Sequence, residues 1–540
     1  ATTFGNYEFD RDGEGRITYV NRRTSIYYTF EADLVYDCCG HIQSITDRKA
    51  GETYHYDYDP AGRLTTFTDD VGNTVGLSYR YHQDQPKRID YPGGVYSEFE
   101  YNVMKQMTSM IVKNKTGETL FSADFEYDPA GNCTGIIRDG EERSLTYDRN
   151  NRLVNVKTGG VDTETYTYDA AGNRLTGPSG EIYEYDEFGR LRRVGTRRYE
   201  YNVLGHVSDI ITSEGSIHLD YTGMDQVSEV SFSDGTAYQY YYDAYGRRCC
   251  RRKVSDEKYY IDAVFLKGLY DFGWMHKCIL NPLTEDTLLY KDGSENTNFV
   301  HHDANRRPVL ITDLDGNVVW KATYNSFGEA EIDPASIIQY NYRLPGQIYD
   351  SETGFHYNYH RYYDPVTGRY LQMDPLFQHD EINYRRLYRT DPYIYAHNNP
   401  LTQFDEIGLC DECDDCPSGT WNGRAIGVDG GAILGANTFQ VEMSCSGNSS
   451  RVVKNWVSCF KFGLFVGGGI SLSGVEVGGC NGLDARGNLE GVSWFAELSA
   501  GPIGVGGGTD IYDARNFSGG ASGGVGFDAG GGLQFCNIID

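Results

Sequence analysis

Three cysteines with the spacing of metal ligands stand where the character of the chain changes. Cys410, Cys413 and Cys416 are each separated by two residues, a spacing typical of zinc thiolates, and any of four later cysteines could supply a fourth ligand. The acidic residues between them would disfavour thiolate formation and compete as hard ligands. Disulfides or free thiols fit the sequence equally well, so we assign no metal here and predict no cofactor.

The distribution of histidine limits the chemistry of the C-terminal segment. All 12 histidines precede residue 410, so residues 410–540 lack the usual general base of ribonucleases, HNH nucleases and Cys-His or Ser-His hydrolases. The chain carries a net charge of −29, which disfavours nucleic acid as a partner. His301, His302 and Asp303 are adjacent ligand types without a third spaced ligand, so a strand-and-turn role is the simpler interpretation.

A repeated Tyr-Asp or Tyr-Asn pair provides the framework for these residues. Steps of mostly 16 to 26 residues separate the pairs, and the fullest copies are Tyr58-Asp59-Pro60-Ala61-Gly62-Arg63-Leu64, Tyr168-Asp169-Ala170-Ala171-Gly172-Asn173-Arg174-Leu175 and Tyr185-Asp186-Glu187-Phe188-Gly189-Arg190-Leu191. Alternation before the pair predicts a strand with its Tyr rings on one face. The Asp-x-x-Gly that follows suits a tight turn, because Asp caps its own backbone and Gly accepts positive φ. Stacked hairpins would bury a continuous Tyr-rich face, so we predict an all-β fold with one long sheet that spirals or closes.

Composition changes at residue 410. Of the 65 glycines, 30 lie in residues 410–540, where short alternating runs between glycine clusters predict hairpin strands. Such strands fit an inert β-domain or cap, a membrane-active or pore-forming segment, or an enzyme that uses only Asp and Glu. The sequence leaves these three interpretations open.

The repeats resemble the YD repeats of Rhs proteins, of the C component of insecticidal Tc toxins, and of teneurins. Residues 299–409 resemble the Rhs core, through strings that include Arg343-Leu344-Pro345-Gly346-Gln347, Gly354-Phe355-His356-Tyr357 and Tyr362-Tyr363-Asp364-Pro365. The sequence departs from the family at Arg306, where Gly is usual, and at Glu406, where Pro is common. The resemblance implies a β-hairpin shell, closed by an Rhs core, that often encloses the C-terminal part of its own chain.

The same resemblance implies an aspartic-protease-like site that cuts its own chain. The matching positions are Asp374 and Asp405 as the carboxylate pair, Arg361 as the accompanying cation, and Leu409–Cys410 as the bond that is cut. Hydrolysis by two carboxylates needs one ionised and one protonated, a state that crowding of two acids produces. Arg361 could hold one of them ionised and in place.

We therefore predict three domains: a YD-repeat shell at residues 1–255, an Rhs core with the cleavage site at 256–409, and a variable effector-like domain at 410–540. The predicted function is that of an Rhs-type polymorphic toxin, secreted or on the bacterial cell surface, that delivers its own C-terminal domain. Its implied partners are that domain, an immunity protein and secretion-system components. The alternative is an uncleaved adhesion protein that contacts carbohydrate or protein through exposed Tyr rings.

Overall fold

The computed structural model describes residues 6–23, 29–80, 84–242, 246–256, 258–261, 270–273, 276–284, 286–292, 294, 296–375 and 391–409, together with the C-terminal strands given below. Two compact units are present: one comprises Ala1–Asp12 and Arg16–Asp411, and the other Gly13–Gly15 and Glu412–Asp540. Short 3-10 turns lie at Pro92–Gly94, Val254–Asp256 and Ala396–Asn398. No helix among the described residues is long and apolar enough to cross a membrane.

The first repeats form a sheet in which each strand pairs with the next strand along the chain. Its antiparallel strands are β1 (Asn6–Arg11), β2 (Ile17–Arg23), β3 (Thr29–Tyr36), β4 (Ile42–Asp47), β5 (Glu52–Tyr58), β6 (Leu64–Thr68), β7 (Thr74–Tyr79), β8 (Pro86–Asp90), β9 (Tyr96–Tyr101), β10 (Met107–Lys113), β11 (Thr119–Tyr127), β12 (Cys133–Arg138), β13 (Glu141–Tyr147), β14 (Leu153–Thr158) and β15 (Val161–Thr165). The alternation predicted from the sequence is confirmed in β5, where Tyr54 and Tyr56 are buried and His55 and Asp57 are exposed.

The repeat turn has the geometry that its residues predict. Asp59 Oδ1 accepts the backbone N–H groups of Ala61 at 2.9 Å and Arg63 at 3.1 Å, while Oδ2 accepts Arg63 Nε at 2.7 Å. Gly62 has φ 78°, in the left-handed region that favours glycine. Turns that begin at Asp148 and Asp186 repeat this pattern. The Asp therefore caps the turn, and the residue four positions later closes it.

The repeat tyrosines hold neighbouring strands together through their hydroxyl groups. Tyr58 Oη donates to Ile42 O at 2.9 Å, and Tyr79 Oη donates to Leu64 O at 2.6 Å. The same bond recurs, from each Tyr to the first residue of an earlier strand, at Tyr127, Tyr147, Tyr168, Tyr185, Tyr201, Tyr221 and Tyr242. Because these hydroxyls satisfy backbone carbonyls, the period in the sequence reflects packing of the sheet.

The repeat array continues in two further sheets. Strands β16 (Thr167–Tyr168) and β17 (Arg174–Thr176) form a pair. A longer meander contains β18 (Tyr183–Tyr185), β19 (Leu191–Val194), β20 (Arg197–Tyr201), β21 (Val207–Ile211), β22 (Ser216–Tyr221), β23 (Val227–Phe232), β24 (Ala237–Tyr242), β25 (Arg248–Lys253) and β26 (Lys258–Ile261).

The described repeat strands therefore form separate sheets, β1–β15, β16–β17 and β18–β26, where the sequence predicts one continuous sheet. Pro178 lies between β17 and β18 and has no N–H to donate. The guanidinium of Arg174 is buried at this point, where it donates to Thr367 O at 2.8 Å and lies 3.8 Å from the centroid of the Phe327 ring. An isolated bridge pairs Thr176, at the end of β17, with Ile182, which directly precedes β18.

Two core sheets follow the array. The first contains β27 (Tyr270–Gly273), β28 (His276–Leu280), β29 (Thr287–Lys291), β30 (Thr297–His302), β31 (Pro308–Asp313), β32 (Val318–Tyr324) and β33 (Ala330–Ile332); the second contains β34 (Ile348–Tyr349), β35 (His356–Asn358), β36 (Arg361–Asp364) and β37 (Arg369–Tyr370). One apolar cluster joins inward residues of the β1–β15 sheet to Leu289, Phe299 and Leu310 of the first core sheet. Another joins residues of β18–β24 to Tyr357 and Tyr362 of the second core sheet. The core sheets thus pack against the inner faces of the repeats.

Buried ion pairs connect the β1–β15 sheet to the first core sheet. Lys277 Nζ lies 3.1 Å from Asp47 Oδ2 and also contacts Glu52, and Lys291 Nζ lies 2.7 Å from Glu52 Oε1 and 3.2 Å from Asp70 Oδ1. Burial opposes ionisation of Glu52, but hydrogen bonds from the two lysines outweigh it and lower the pKa of Glu52 to about 2. Since both lysines are nearly excluded from water, loss of one partner would leave a buried charge uncompensated.

The second unit contains β38 (Trp421–Gly427), β39 (Leu434–Cys445), β40 (Asn448–Phe462), β41 (Ser471–Val477), β42 (Trp494–Ser499), β43 (Tyr512–Asp513), β44 (Gly524–Phe527) and β45 (Leu533–Ile539). They pair in the order β43-β42-β41-β38-β39-β40-β45-β44. Each pairing is antiparallel.

Candidate active site

The structure brings the three candidate catalytic side chains together although 44 residues of sequence separate the outermost two. Arg361 Nη2 lies 3.1 Å from Asp374 Oδ2 and 3.0 Å from Asp405 Oδ2. All three side chains are at most 2% exposed. Since Asp374 Oδ2 and Asp405 Oδ2 both contact Arg361 Nη2, the two acids lie side by side.

Arg361 is fixed from several directions at the start of β36. Its Nε donates to Gly408 O at 2.5 Å and its Nη1 donates to Pro392 O at 3.0 Å. The guanidinium carbon lies 3.6 Å from the centroid of the Tyr370 ring, a cation–π contact. A planar fork with donors on three nitrogens can bind two carboxylates and two carbonyls at once, which lysine cannot do.

Asp405 is surrounded by hydrogen-bond donors. Its Oδ1 accepts the backbone N–H groups of Ile407 at 3.3 Å, Gly408 at 2.7 Å and Leu409 at 3.1 Å. Its Oδ2 accepts Arg361 Nη2 at 3.0 Å and Tyr370 Oη at 2.7 Å. Five donors therefore surround this one carboxyl group, and each finds an acceptor on its two oxygens.

The peptide group that precedes Leu409 is held by both Arg361 and Asp405. Its carbonyl oxygen, on Gly408, accepts Arg361 Nε, and its N–H, on Leu409, donates to Asp405 Oδ1. Leu409 is 9% exposed and packs with Tyr359 and Ile407. Cys410, on the other side of the predicted scissile bond, lies outside the described residues, as do Cys413 and Cys416.

Two glycines allow the segment 405–409 to approach the core backbone. Gly408 has φ 72°, and a Cβ there would lie 2.5 Å from Asn358 O. Gly346 has φ 74°, and a Cβ there would lie 1.7 Å from Glu406 O. Side chains cannot be accommodated at these distances, so both positions require glycine.

The two departures from the family pattern contact each other. Arg306 forms an ion pair with Glu406 and lies 2.9 Å from Asp286 Oδ1. Arg306 has φ 57°, in the left-handed region, which explains physically why glycine suits this position. The extra acid beside the site is therefore neutralised by the residue that replaces that glycine.

The sequence did not single out two residues that contact the site, Asn358 and Tyr370. Asn358 Nδ2 donates to Tyr370 Oη and to Asp405 O, each at 2.8 Å, and Tyr370 donates to Asp405. Tyr370 is one of 45 tyrosines in the chain, and the residues around it do not distinguish it from those that only pack. Its role depends on a contact across 35 residues, which a period in the sequence does not encode.

The pair His301 and His302 lies elsewhere. The two ring nitrogens of His301 contact Ser97 Oγ at 3.1 Å and Thr312 Oγ1 at 3.0 Å, and burial lowers the pKa of His301 to about 3. Asp303 caps a repeat-type turn and pairs with Arg307 at 2.7 Å. These contacts agree with the strand-and-turn interpretation of the motif.

Comparison with known proteins identifies related chains. The Teneurin YD-shell family model matches residues 76–401, and the RHS Repeat model matches residues 40–75. The chain is similar to the probable deoxyribonuclease RhsA of Dickeya dadantii, with 26% identity over 52% of this chain and 21% of that protein. It is similar to the toxin protein Tse5 of Pseudomonas aeruginosa, with 24% identity over 53% of this chain and 27% of that protein.

The fold is that of a solved toxin component. A chain in the Photorhabdus luminescens Tc holotoxin pore matches with a TM-score of 0.62 and 17% identity, over 76% of this chain and 23% of that chain. The sequence therefore spans about a quarter of the length of these relatives.

Proposed function

Because the chain belongs to the Teneurin YD-shell family, we propose that it is the shell part of a polymorphic toxin and cuts itself once after Leu409. The observation that carries this proposal is the position of the carboxylate pair. Arg361 and Asp405 hold the peptide group that immediately precedes Leu409, and Asp374 contacts the same Arg361 nitrogen as Asp405. A buried pair of acids at that point is the arrangement that hydrolysis by two carboxylates requires.

The geometry supports different roles for the two acids. Asp405 binds the backbone of residues 407–409 and holds the substrate segment in place. Asp374 is then the acid that passes a proton to the leaving amide nitrogen, while the other carboxylate of the pair takes one from the attacking water. Arg361 contacts both carboxylates and keeps them adjacent. As a charged donor excluded from water, Arg361 also stabilises negative charge in the transition state.

In the proposed reaction, the oxygen of a water molecule adds to the carbonyl carbon of Leu409 while a carboxylate takes one proton. The tetrahedral intermediate collapses as the C–N bond breaks and the nitrogen of Cys410 receives a proton from the protonated acid. The products are a carboxylate at Leu409 and an amine at Cys410. Because the substrate is part of the same chain, each molecule reacts once.

Cleavage would free Cys410–Asp540 as the cargo of the shell. The toxin relatives support this organisation, since Tse5 is a toxin and the Tc component is part of a holotoxin. Secretion, an immunity protein and secretion-system partners are parts of the same proposal.

The test is the intact mass of the purified chain. The parent should yield fragments of roughly 46 and 15 kDa, as expected from their share of the 540 residues, and the smaller fragment should begin at Cys410. Asp374→Asn and Asp405→Asn should remain whole.

Asp350→Asn is the matched control, because Asp350 is also buried and pairs with an arginine, Arg248, at 2.5 Å but lies outside the site. It should still be cleaved. An uncut parent, or cleavage in both site variants, would contradict the proposal.

A further inference from the structure

One repeat turn differs chemically from its neighbours. In the turns that begin at Asp59, Asp148 and Asp186, the residue four positions later is arginine, and its Nε donates to the Asp Oδ2 at 2.7 Å. Between β3 and β4 the corresponding sequence is Asp37-Cys38-Cys39-Gly40-His41. An imidazole replaces the guanidinium, and two thiols occupy the tip.

The backbone of this turn is nevertheless the same as in its neighbours. Asp37 Oδ1 accepts Cys39 N at 2.8 Å and His41 N at 2.9 Å, and Gly40 has φ 89°. Asp37 Oδ2 lies 3.0 Å from His41 Nδ1. The His41 ring stacks on Tyr58, with centroids 4.7 Å apart. The turn therefore presents its side chains from a rigid frame, which favours a preorganised site.

The side chains at this turn form a set of ligands. Ligand atoms of Asp37, Cys39 and His41 all lie within 4.8 Å of one another. Cys38 Sγ lies 3.8 Å from Cys39 Sγ, and both thiols are free and exposed. Two thiolates on a tetrahedral zinc ion, with Zn–S bonds of about 2.3 Å, are also separated by about 3.8 Å.

We propose that the β3–β4 turn is a zinc site in which Cys38, Cys39, His41 and Asp37 supply the ligands. Two thiolates, an imidazole and a carboxylate form a donor set that zinc accepts. Zinc would also explain two adjacent exposed thiols, which are otherwise open to oxidation. The ion would replace the Arg–Asp pair of the neighbouring turns as the group that ties the two ends of the turn together.

The experiment uses the reduced full chain titrated with Zn²⁺ against a chromophoric chelator, and with Co²⁺ to detect thiolate-to-cobalt absorption. His41→Arg is the matched variant, because it restores the ion pair of the neighbouring turns while it removes a ligand. Both His41→Arg and Cys39→Ser should weaken binding at one site by at least about tenfold. The urea midpoint of His41→Arg should stay that of the parent, which separates loss of ligand from loss of fold.

A second variant excludes the other candidate thiols. Cys410→Ser, Cys413→Ser and Cys416→Ser together should leave the site and its cobalt absorption intact. The proposal is overturned if His41→Arg and Cys39→Ser bind zinc as the parent does, or if the triple serine variant abolishes binding.

Discussion

The pairing of Arg306 with Glu406 leads to a quantitative prediction about self-cleavage. Glu406 directly follows Asp405, so an interaction that holds Glu406 also holds the segment 405–409, which places Leu409 at the site. Each side chain of the pair is about a quarter exposed, at 26% and 23%. This places the pair between exposed pairs, worth about 0.2–1 kcal/mol, and fully buried pairs, whose disruption costs about 3–5 kcal/mol. We therefore expect a coupling of about 1–2 kcal/mol.

The perturbation is a double-mutant cycle with Glu406→Gln and Arg306→Gln. If the pair positions the segment, a loss of about 1–2 kcal/mol in the transition state slows cleavage about 5- to 30-fold. Arg306→Gln should slow it somewhat more, because Arg306 also loses Asp286 at 2.9 Å. The double variant should be little slower than Arg306→Gln alone, since the shared interaction is removed only once.

The assay is the first-order rate of fragment appearance after synthesis in a cell-free system, followed on denaturing gels. Urea midpoints of all four chains, measured in an Asp374→Asn background, separate effects on stability from effects on rate. Strictly additive effects of the two substitutions would refute a functional pair. Unchanged rates in both single variants would refute the positioning role of Glu406.

Three other predictions test the account. Gly408→Ala should abolish cleavage, because its Cβ would lie 2.5 Å from a backbone oxygen at φ 72°, whereas Gly354→Ala, at φ 78° with nothing within 4 Å, should leave the fragments on a gel unchanged. Tyr370→Phe removes a 2.7 Å hydrogen bond to the aspartate pair and should slow cleavage roughly tenfold in the same time course. Glu52 has its pKa lowered to about 2, so its stabilising contribution should be present above pH about 4.5 and lost between that pH and about 2; urea midpoints across this range should fall less steeply in Glu52→Gln than in the parent.

The sequence predicts the repeat architecture because each copy carries its own local rule. Alternation places Tyr54 and Tyr56 on one face, and the Asp-x-x-Gly spacing places the cap of Asp59 and the positive φ of Gly62. These features depend on residues within about five positions of each other. The interruption of the sheet near Pro178 depends instead on where the array meets the core, so the period alone did not predict it.

The candidate site does not depend on local sequence in this way, because its contacts join distant parts of the chain. Asp374, Asp405 and Arg361 were identified through the resemblance, and the structure places them together. Asn358 and the Arg306–Glu406 pair were not predicted, because contacts across 47 and 100 residues follow from the fold. The domain boundaries at 255 and 409 and the roles of the C-terminal cysteines remain predictions.

The most direct test of self-cleavage is its dependence on protein concentration. Freshly synthesised chain should be cut with one first-order rate constant across a hundredfold dilution, and added active protein should not cut the Asp374→Asn chain. That result would show that each chain cleaves itself through this carboxylate pair. A rate that scales with concentration, or cleavage of the Asp374→Asn chain at the parental rate, would contradict the account.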